Sequence, residues 1–296
     1  MCPSLIINAD DLGLTRGINL AILQCADAGV LRSATLMASG DAFEEAVKIF
    51  RGRDGFGTGI HFVLTGLKPV APPESLQGLV GPNGLLPSGP IGLLKKIGTS
   101  KPVTHAIRRE LFAQAEKVFD SGITPTHFDS HKHVHIIPAV FEVLIEIAHR
   151  FSVKWIREPF EPDGSLGFLP DLQRVHKAKF LKQFAMSRVS AVWRPVFRSL
   201  ARRAQIRTPG GVYGISFTGF TNEAVVKRLC GMLKPGLNEL MTHPGIVDAE
   251  LLKFKGRLLD SRVKEKELLV SAGIKELFEK NHIVLRHFGE VDSERS

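Results

Sequence analysis

Short β-branched and apolar runs alternate along the chain with longer stretches of helical periodicity. Residues 5–7, 34–38, 59–64, 126–130, 153–156, 212–216, 239–242 and 283–286 have the length and composition of strands. Between them, 18–28, 42–50, 103–119, 138–149, 223–233 and 263–279 repeat apolar residues at helical spacing. In 103–119, Ile107, Leu111, Ala115 and Val118 fall on one face. Pro138 stands in the first turn of its run, where a helix tolerates proline best. Strand and helix alternate without hairpin signals, which predicts an α/β protein with a parallel sheet, closed as a barrel or open and doubly wound.

Two segments break this rhythm. Residues 66–98 hold seven Gly and six Pro in 33 positions. A loop of that length is either a lid over a site or a surface excursion. Residues 174–207 carry ten Lys or Arg and no Asp or Glu, interleaved with Val175, Phe180, Leu181, Phe184, Met186, Val192, Trp193, Val196, Phe197 and Leu200. Pro195 should kink or divide any helix there.

Composition narrows the classes. The 296 residues are 44% hydrophobic and 23% charged, which excludes a disordered chain and allows a sizeable core. The net charge of +9 is local: outside 174–207 the remaining 29 basic and 30 acidic residues nearly cancel. The basic segment therefore reads as a basic amphipathic insertion for a membrane surface, or as a solvated helical hairpin packed on the sheet. A nucleic-acid-binding protein built on that patch is a further alternative, but the patch lacks any recognised nucleic-acid module, so no nucleic-acid partner is expected. Cys2, Cys25 and Cys230 are an odd, scattered set, which suits a reducing compartment and argues against a Cys-built metal site. The first residues lack the basic and apolar regions of a signal peptide, and the longest uncharged stretch, 75–94, is too rich in Gly and Pro to span a bilayer. A cytoplasmic location is expected, with the basic segment able to bring the chain to the inner membrane face.

The polar residues that interrupt apolar runs stand at the carboxyl ends of the expected strands. Asp10 and Asp11 follow the first, His61 interrupts the third, and His127, Asp129, His131, His133 and His135 end the fourth. Arg157 ends the fifth and His243, before Pro-Gly, the seventh. In a parallel α/β fold these ends share one face, where sites are built. A lone Asp-Asp pair usually means a helix cap and a solvated neighbour, and a lone His in an apolar run a satisfied core histidine. Convergence of five segments outweighs those readings. Adjacent carboxylates call for a cation or a shared proton, and imidazoles with a carboxylate suit zinc-like divalent ions. One Asp with two His leaves positions open for water and substrate, as in a catalytic metal site. A ligating histidine usually hands its other N–H to a neighbour, a part Asp129 could play for His61 or His131. His133 and His135 rank behind, with His135 the reserve ligand. Metal-assisted hydrolysis of another bond, such as a phosphoester, is an alternative, although it would want more cations near the strand ends than Arg157 and Lys132.

Four blocks give these residues a specific likeness. Ile-Ile-Asn-Ala-Asp-Asp-Leu-Gly-Leu at 6–14, Gly-Ile-His-Phe-Val-Leu-Thr at 59–65, Thr-His-Phe-Asp-Ser-His-Lys-His-Val-His at 126–135 and Met-Thr-His-Pro-Gly at 241–245 resemble the signature blocks of the YdjC-type carbohydrate deacetylases, in family order. The resemblance implies a single domain on a distorted (β/α) barrel of seven or eight strands. It also implies a divalent-metal hydrolase that removes acetyl groups from N-acetylated sugars. By position, Asp11, His61 and His131 match the metal ligands, Asp10 the catalytic base and His243 the general acid, with Arg157 orienting Asp10. Leu12 and Lys132 depart from the commoner residues of the blocks. The family is described with magnesium, whereas the ligand types favour zinc. The substrate is a chitooligosaccharide or, as in the hopanoid-associated branch that 157–159 and 213–221 resemble, a lipid-linked N-acetylglucosamine. A homodimer fits the family.

Overall fold

The apolar runs form seven strands: β1 (Pro3–Leu12), β2 (Ser33–Leu36), β3 (Gly57–Phe62), β4 (Phe128–Ser130), β5 (Val212–Tyr213), β6 (Gly236–Thr242) and β7 (Val284–Arg286). These come from a computed structural model, which describes residues 3–98, 101–254 and 256–293, so that Cys2 lies outside the described residues. All pairings are parallel, in the order β4-β3-β2-β1-β6-β5. β7 pairs with β1 at Ser4–Ile6, below the stretch from Asn8 onward where β2 takes over that edge.

The expected strand at 153–156 does not form a ladder. Phe128 donates to the Trp155 carbonyl (3.0 Å) and accepts from the Arg157 amide (2.9 Å), while Ile156 donates to the Arg207 carbonyl (3.0 Å). Pro159 and Pro162 then deprive the segment of donors. The segment still bridges β4 to the other edge, because Val212 donates to the Phe160 carbonyl at 3.2 Å. The circuit β4, 154–160, β5, β6, β1, β2, β3 is the distorted (β/α) barrel, a parallel sheet curled round and joined through irregular chain.

Helices follow the strands as the periodicity requires. Arg16–Asp27 starts at Thr15, whose hydroxyl accepts from Ile18 N, and Glu223–Met232 starts at Asn222, which accepts from Val225 N. Pro138 opens Pro138–Arg150. The expected helix at 263–279 is two, Asp260–Val270 and Ala272–Lys280, parted by an extended Ser271. Pro195 lies in the first turn of Arg194–Arg203, so the basic segment is divided into Arg174–Ser190 and that second helix across a short turn.

The Gly/Pro-rich segment is anchored along its length. Ala71, Leu76, Leu79, Leu86 and Leu93 are buried in the main core. The buried Glu110 accepts from the amides of Val70 and Ala71 at 2.9 Å each. The segment carries a helix of its own, Pro90–Ile97.

Candidate active site

The Asp10–Asp11 pair owes its geometry to a break in β1. The register with β2 shifts between Ala9 and Leu12, and Asp11 is left-handed at φ 69°. In a regular strand neighbouring side chains point to opposite faces. The bulge turns the second aspartate back, and both carboxylates reach the strand-end face.

Asp10 belongs to a closed network. Arg157, fully buried, donates from Nη1 to Asp10 Oδ2 and from Nη2 to Asp10 Oδ1, both at 2.7 Å. Its Nη1 also lies 2.7 Å from Asp129 Oδ2, and its Nε donates to Glu239 Oε1 at 2.7 Å. Asn8 adds a bond to Asp10 Oδ1 at 2.9 Å and is itself held by Ser33 and His127. Burial alone would raise the Asp10 pKa, but the Arg157 guanidinium outweighs it and holds the carboxyl well below its usual range. One cation cannot serve three carboxylates equally, and burial pushes Glu239 up to about 7 in spite of Arg157.

Asp11 has a different environment. Its Oδ2 is paired with Arg262. Its Oδ1 is buried and has no hydrogen-bond partner. That oxygen lies 3.5 Å from His61 Nε2 and 3.3 Å from His131 Nδ1. His61 Nδ1 is committed to Asp129 Oδ1 at 2.7 Å, and Thr35 Oγ1 donates to the other Asp129 oxygen at 3.1 Å. Asp129 thus serves His61, fixing its ring so that Nε2 faces Asp11. Burial disfavours the imidazolium, yet Asp129 with Asp10 and Asp11 raises the His61 pKa to about 9. One carboxylate oxygen and two ring nitrogens within 4.8 Å of one another are a donor set that fits a divalent cation. A second grouping of Asp10, His61 and Asp129 is equally close, but the Arg157 guanidinium lies against both of its carboxylates and His61 Nδ1 is already bonded to Asp129.

The other histidines divide by their partners. His127 is buried, bonded through Nε2 to Asn8 (3.1 Å) and through Nδ1 to Thr126 (3.0 Å), and stacked on Phe288 at 3.9 Å. Gly59 makes room for it, since a Cβ there would sit 2.5 Å from the His127 ring. His135 has both nitrogens occupied, by Ser130 Oγ and by the Arg157 carbonyl, which removes the reserve ligand. Lys132 and His133 are left-handed in a tight turn after β4, and burial pushes His133 down to about 3. His243 follows β6; its amide donates to Glu265 Oε2 at 2.6 Å. Burial pushes its ring down to about 4, although Asp10 and Asp11 lie near enough to raise it.

All six expected site residues, Asp10, Asp11, His61, His131, Arg157 and His243, therefore gather at the strand ends. Arg262, Glu265 and Glu239 join them without having been expected. Arg262 and Glu265 sit on helix Asp260–Val270, where nothing local distinguishes them from surface charges. Glu239 did carry a signal, a carboxylate between Leu237 and Leu240 in an apolar strand.

A parallel barrel whose strand ends join a carboxylate, two imidazoles and a clamped second carboxylate is the frame of a barrel protein with a candidate mononuclear metal centre. The chain belongs to the YdjC-like protein family, whose model matches residues 4–280. It is 28% identical over 285 residues to a carbohydrate deacetylase of Thermoanaerobacter pseudethanolicus, covering 96% of this chain and 97% of that protein. A carbohydrate deacetylase of Geobacillus stearothermophilus is 44% identical over 148 residues, which span 50% of this chain and 57% of the relative. The crystal structure of a candidate cellobiose-phosphate cleavage protein of Enterococcus faecalis is similar with a TM-score of 0.76 at 22% identity, covering 98% of this chain and 99% of the other. That likeness speaks for the fold.

Proposed function

We propose that the protein is a divalent-metal-dependent deacetylase that hydrolyses the acetamide of an N-acetylated sugar. The observation that carries this reading is the buried Asp11 Oδ1, without a hydrogen-bond partner, facing His61 Nε2 and His131 Nδ1, one residue from a carboxylate that is ionised at rest. A cation held by Asp11, His61 and His131 would polarise the acetyl carbonyl and acidify a water. The ligand types favour zinc, and the family resemblance favours magnesium.

Asp10 is the base that takes the water's proton. Arg157 and Asn8 fix the carboxylate in direction, and Oδ2, with a single bond from Arg157, keeps a second lone pair. His243 gives a proton to the departing amine, without which an amide nitrogen is a poor leaving group. Its ring is neutral at rest, so it gains that proton within the turnover. Water supplies a hydroxyl to the acetyl carbon and a proton to Asp10; that proton passes to the neutral His243 ring and from it to the nitrogen, the C–N bond breaks, and acetic acid and the amine leave as acetate and ammonium, with both side chains restored. A phosphoester substrate is disfavoured because Arg157 is spent on Asp10, Asp129 and Glu239. Segment 66–98 touches the site's edge, where Lys132 donates to the Ser88 carbonyl at 3.3 Å, and we assign it as a cover over the sugar. A cytoplasmic setting accords with the unbridged thiols of Cys25 and Cys230.

The test is acetate release from N,N′-diacetylchitobiose by metal-loaded protein, with and without chelator. Chelator-sensitive release is expected. Release that survives removal of all metal would refute the mechanism, and no release from protein shown to hold metal would move the substrate to a lipid-linked N-acetylglucosamine.

A further inference from the structure

The helix Arg174–Ser190 has apolar residues on two opposite sides. The inner side is accounted for. Phe180 and Ser187 are buried, Phe184 packs on the core, and Gln183 Nε2 donates to the carbonyls of Ile215, Ser216 and Thr218 at 3.2, 3.1 and 3.3 Å. The outer side is exposed among the described residues. Val175 is 73% exposed, Met186 60%, Val189 64%, Val192 70% and Trp193 45%. With Leu181 and Val196 these make seven of the fourteen large hydrophobic side chains exposed among the described residues, all within 175–196. Exposed apolar residues in a soluble monomer are normally scattered singly. Here Met186, Val189, Val192 or Trp193, and Val196 recur every three or four residues, across the short turn and into Arg194–Arg203.

Charge flanks this stripe. Arg188 and Arg194 pair with Asp163, and Arg198 pairs with Glu158. Among the described residues, Arg174, Lys177, Lys179, Lys182, Arg202 and Arg203 have no acidic partner, and 174–207 contains no acidic residue. A second copy packed face to face would bring these six cations against six more, which like-charge repulsion disfavours. A nucleic acid would satisfy the cations and leave the Val and Met stripe in water. A surface that is apolar below and anionic above satisfies both, as for an amphipathic helix lying in a bilayer interface. No helix among the described residues is long and apolar enough to cross a membrane, so this surface would lie on the bilayer and not span it.

We propose that Arg174–Ser190 and Arg194–Arg203 dock the protein on an anionic lipid bilayer through the Val175–Val196 stripe and its flanking lysines and arginines. The docking helix rests on 215–218, the loop after β5, and Arg188 and Arg194 donate to the Glu161 carbonyl, just past the end of 154–160. It therefore sits at the same end of the barrel as Asp10 and Asp11. The docking proposal does not depend on the deacetylase reading, and a homodimer would use another face.

The test is sedimentation of the full chain with vesicles of phosphatidylcholine containing phosphatidylglycerol, against phosphatidylcholine alone. At least tenfold stronger binding to the anionic vesicles is expected, weakening with added salt. Tryptophan emission should shift to the blue on binding, and Trp193→Phe should abolish the shift because Trp155 is already buried. Met186→Glu with Val189→Glu should cut binding at least tenfold while leaving the circular dichroism and Tm unchanged, since both side chains are exposed. Equal or absent binding to the two vesicle types would overturn the proposal, as would binding indifferent to the double variant. A dimer in sedimentation velocity that the double variant dissociates, or salt-sensitive RNA binding without vesicle binding, would overturn it too.

Discussion

Asp10 and Asp11 are neighbours on one strand and opposites in circumstance. Asp10 takes two bonds from a buried guanidinium and one from Asn8. Asp11 is paired on one oxygen and bare on the other, at a distance from two imidazoles that suits a shared ligand. The saturated carboxylate is ionised at rest and fixed in direction. The unsaturated one is held ionised against its burial by Arg262, His131 and His61, and still presents one oxygen with no hydrogen-bond partner. One half of the site holds and the other half is open to chemistry, and the boundary between them is a single peptide bond placed by a β-bulge.

The largest expected effect breaks the open half. Asp11→Asn should lower acetate release by at least about a thousandfold and remove tight metal binding, because the anionic member of the donor set is gone. Asp10→Asn should cost a similar factor in kcat with metal still bound. Loss of metal from that variant would contradict the division of labour.

The clamped half should break as a matter of stability. Arg157→Met leaves Asp10, Asp129 and Glu239 buried without their cation and should cost about 3–5 kcal/mol in denaturant unfolding. Arg157→Lys should recover little of it, since an ammonium cannot span three carboxylates in a plane.

Glu161 sharpens the contrast as a buried carboxylate without a guanidinium clamp. Its oxygens accept from the Ser216 amide and hydroxyl, and burial pushes it up to about 7. A folded pKa above the unfolded value means the native state holds a proton the unfolded chain has lost. Its contribution is therefore full below about pH 4.5 and is lost as pH rises through about 7, on the order of 3 kcal/mol in all. Glu161→Gln should flatten that part of the stability–pH curve, read by denaturant unfolding between pH 4 and 8. The smallest effect belongs to Asp129→Asn, which frees the His61 ring and should weaken metal binding by about ten- to a hundredfold in a competition titration.

Much of this could be read from the chain, and for stated reasons. Strands of a parallel sheet are apolar runs, so Asp10, Asp11, His61, Asp129 and His243 stood out as polar residues at their ends. The roles of the histidines could not be separated that way. His127 and His135 differ from His131 by what bonds their nitrogens, and those partners, Asn8 and the Arg157 carbonyl, are far away in sequence. Arg262 reaches Asp11 from 251 positions along the chain, on a helix whose pattern marks it as an ordinary surface charge. The run 153–156 read as a strand because its composition is that of one; the prolines after it left only isolated bridges. The Gly/Pro content of 66–98 hid the leucines that hold that segment to the core.

The central claim is that Asp11, His61 and His131 hold a divalent cation on which turnover depends. The direct measurement is metal content after dialysis, with acetate release from the same samples, for the wild-type chain and Asp11→Asn. One equivalent of zinc or magnesium in the wild type, none in the variant, and release that falls with chelation and returns with metal are the expected results. Equal metal content in the two proteins, or full release from metal-free wild type, would contradict it.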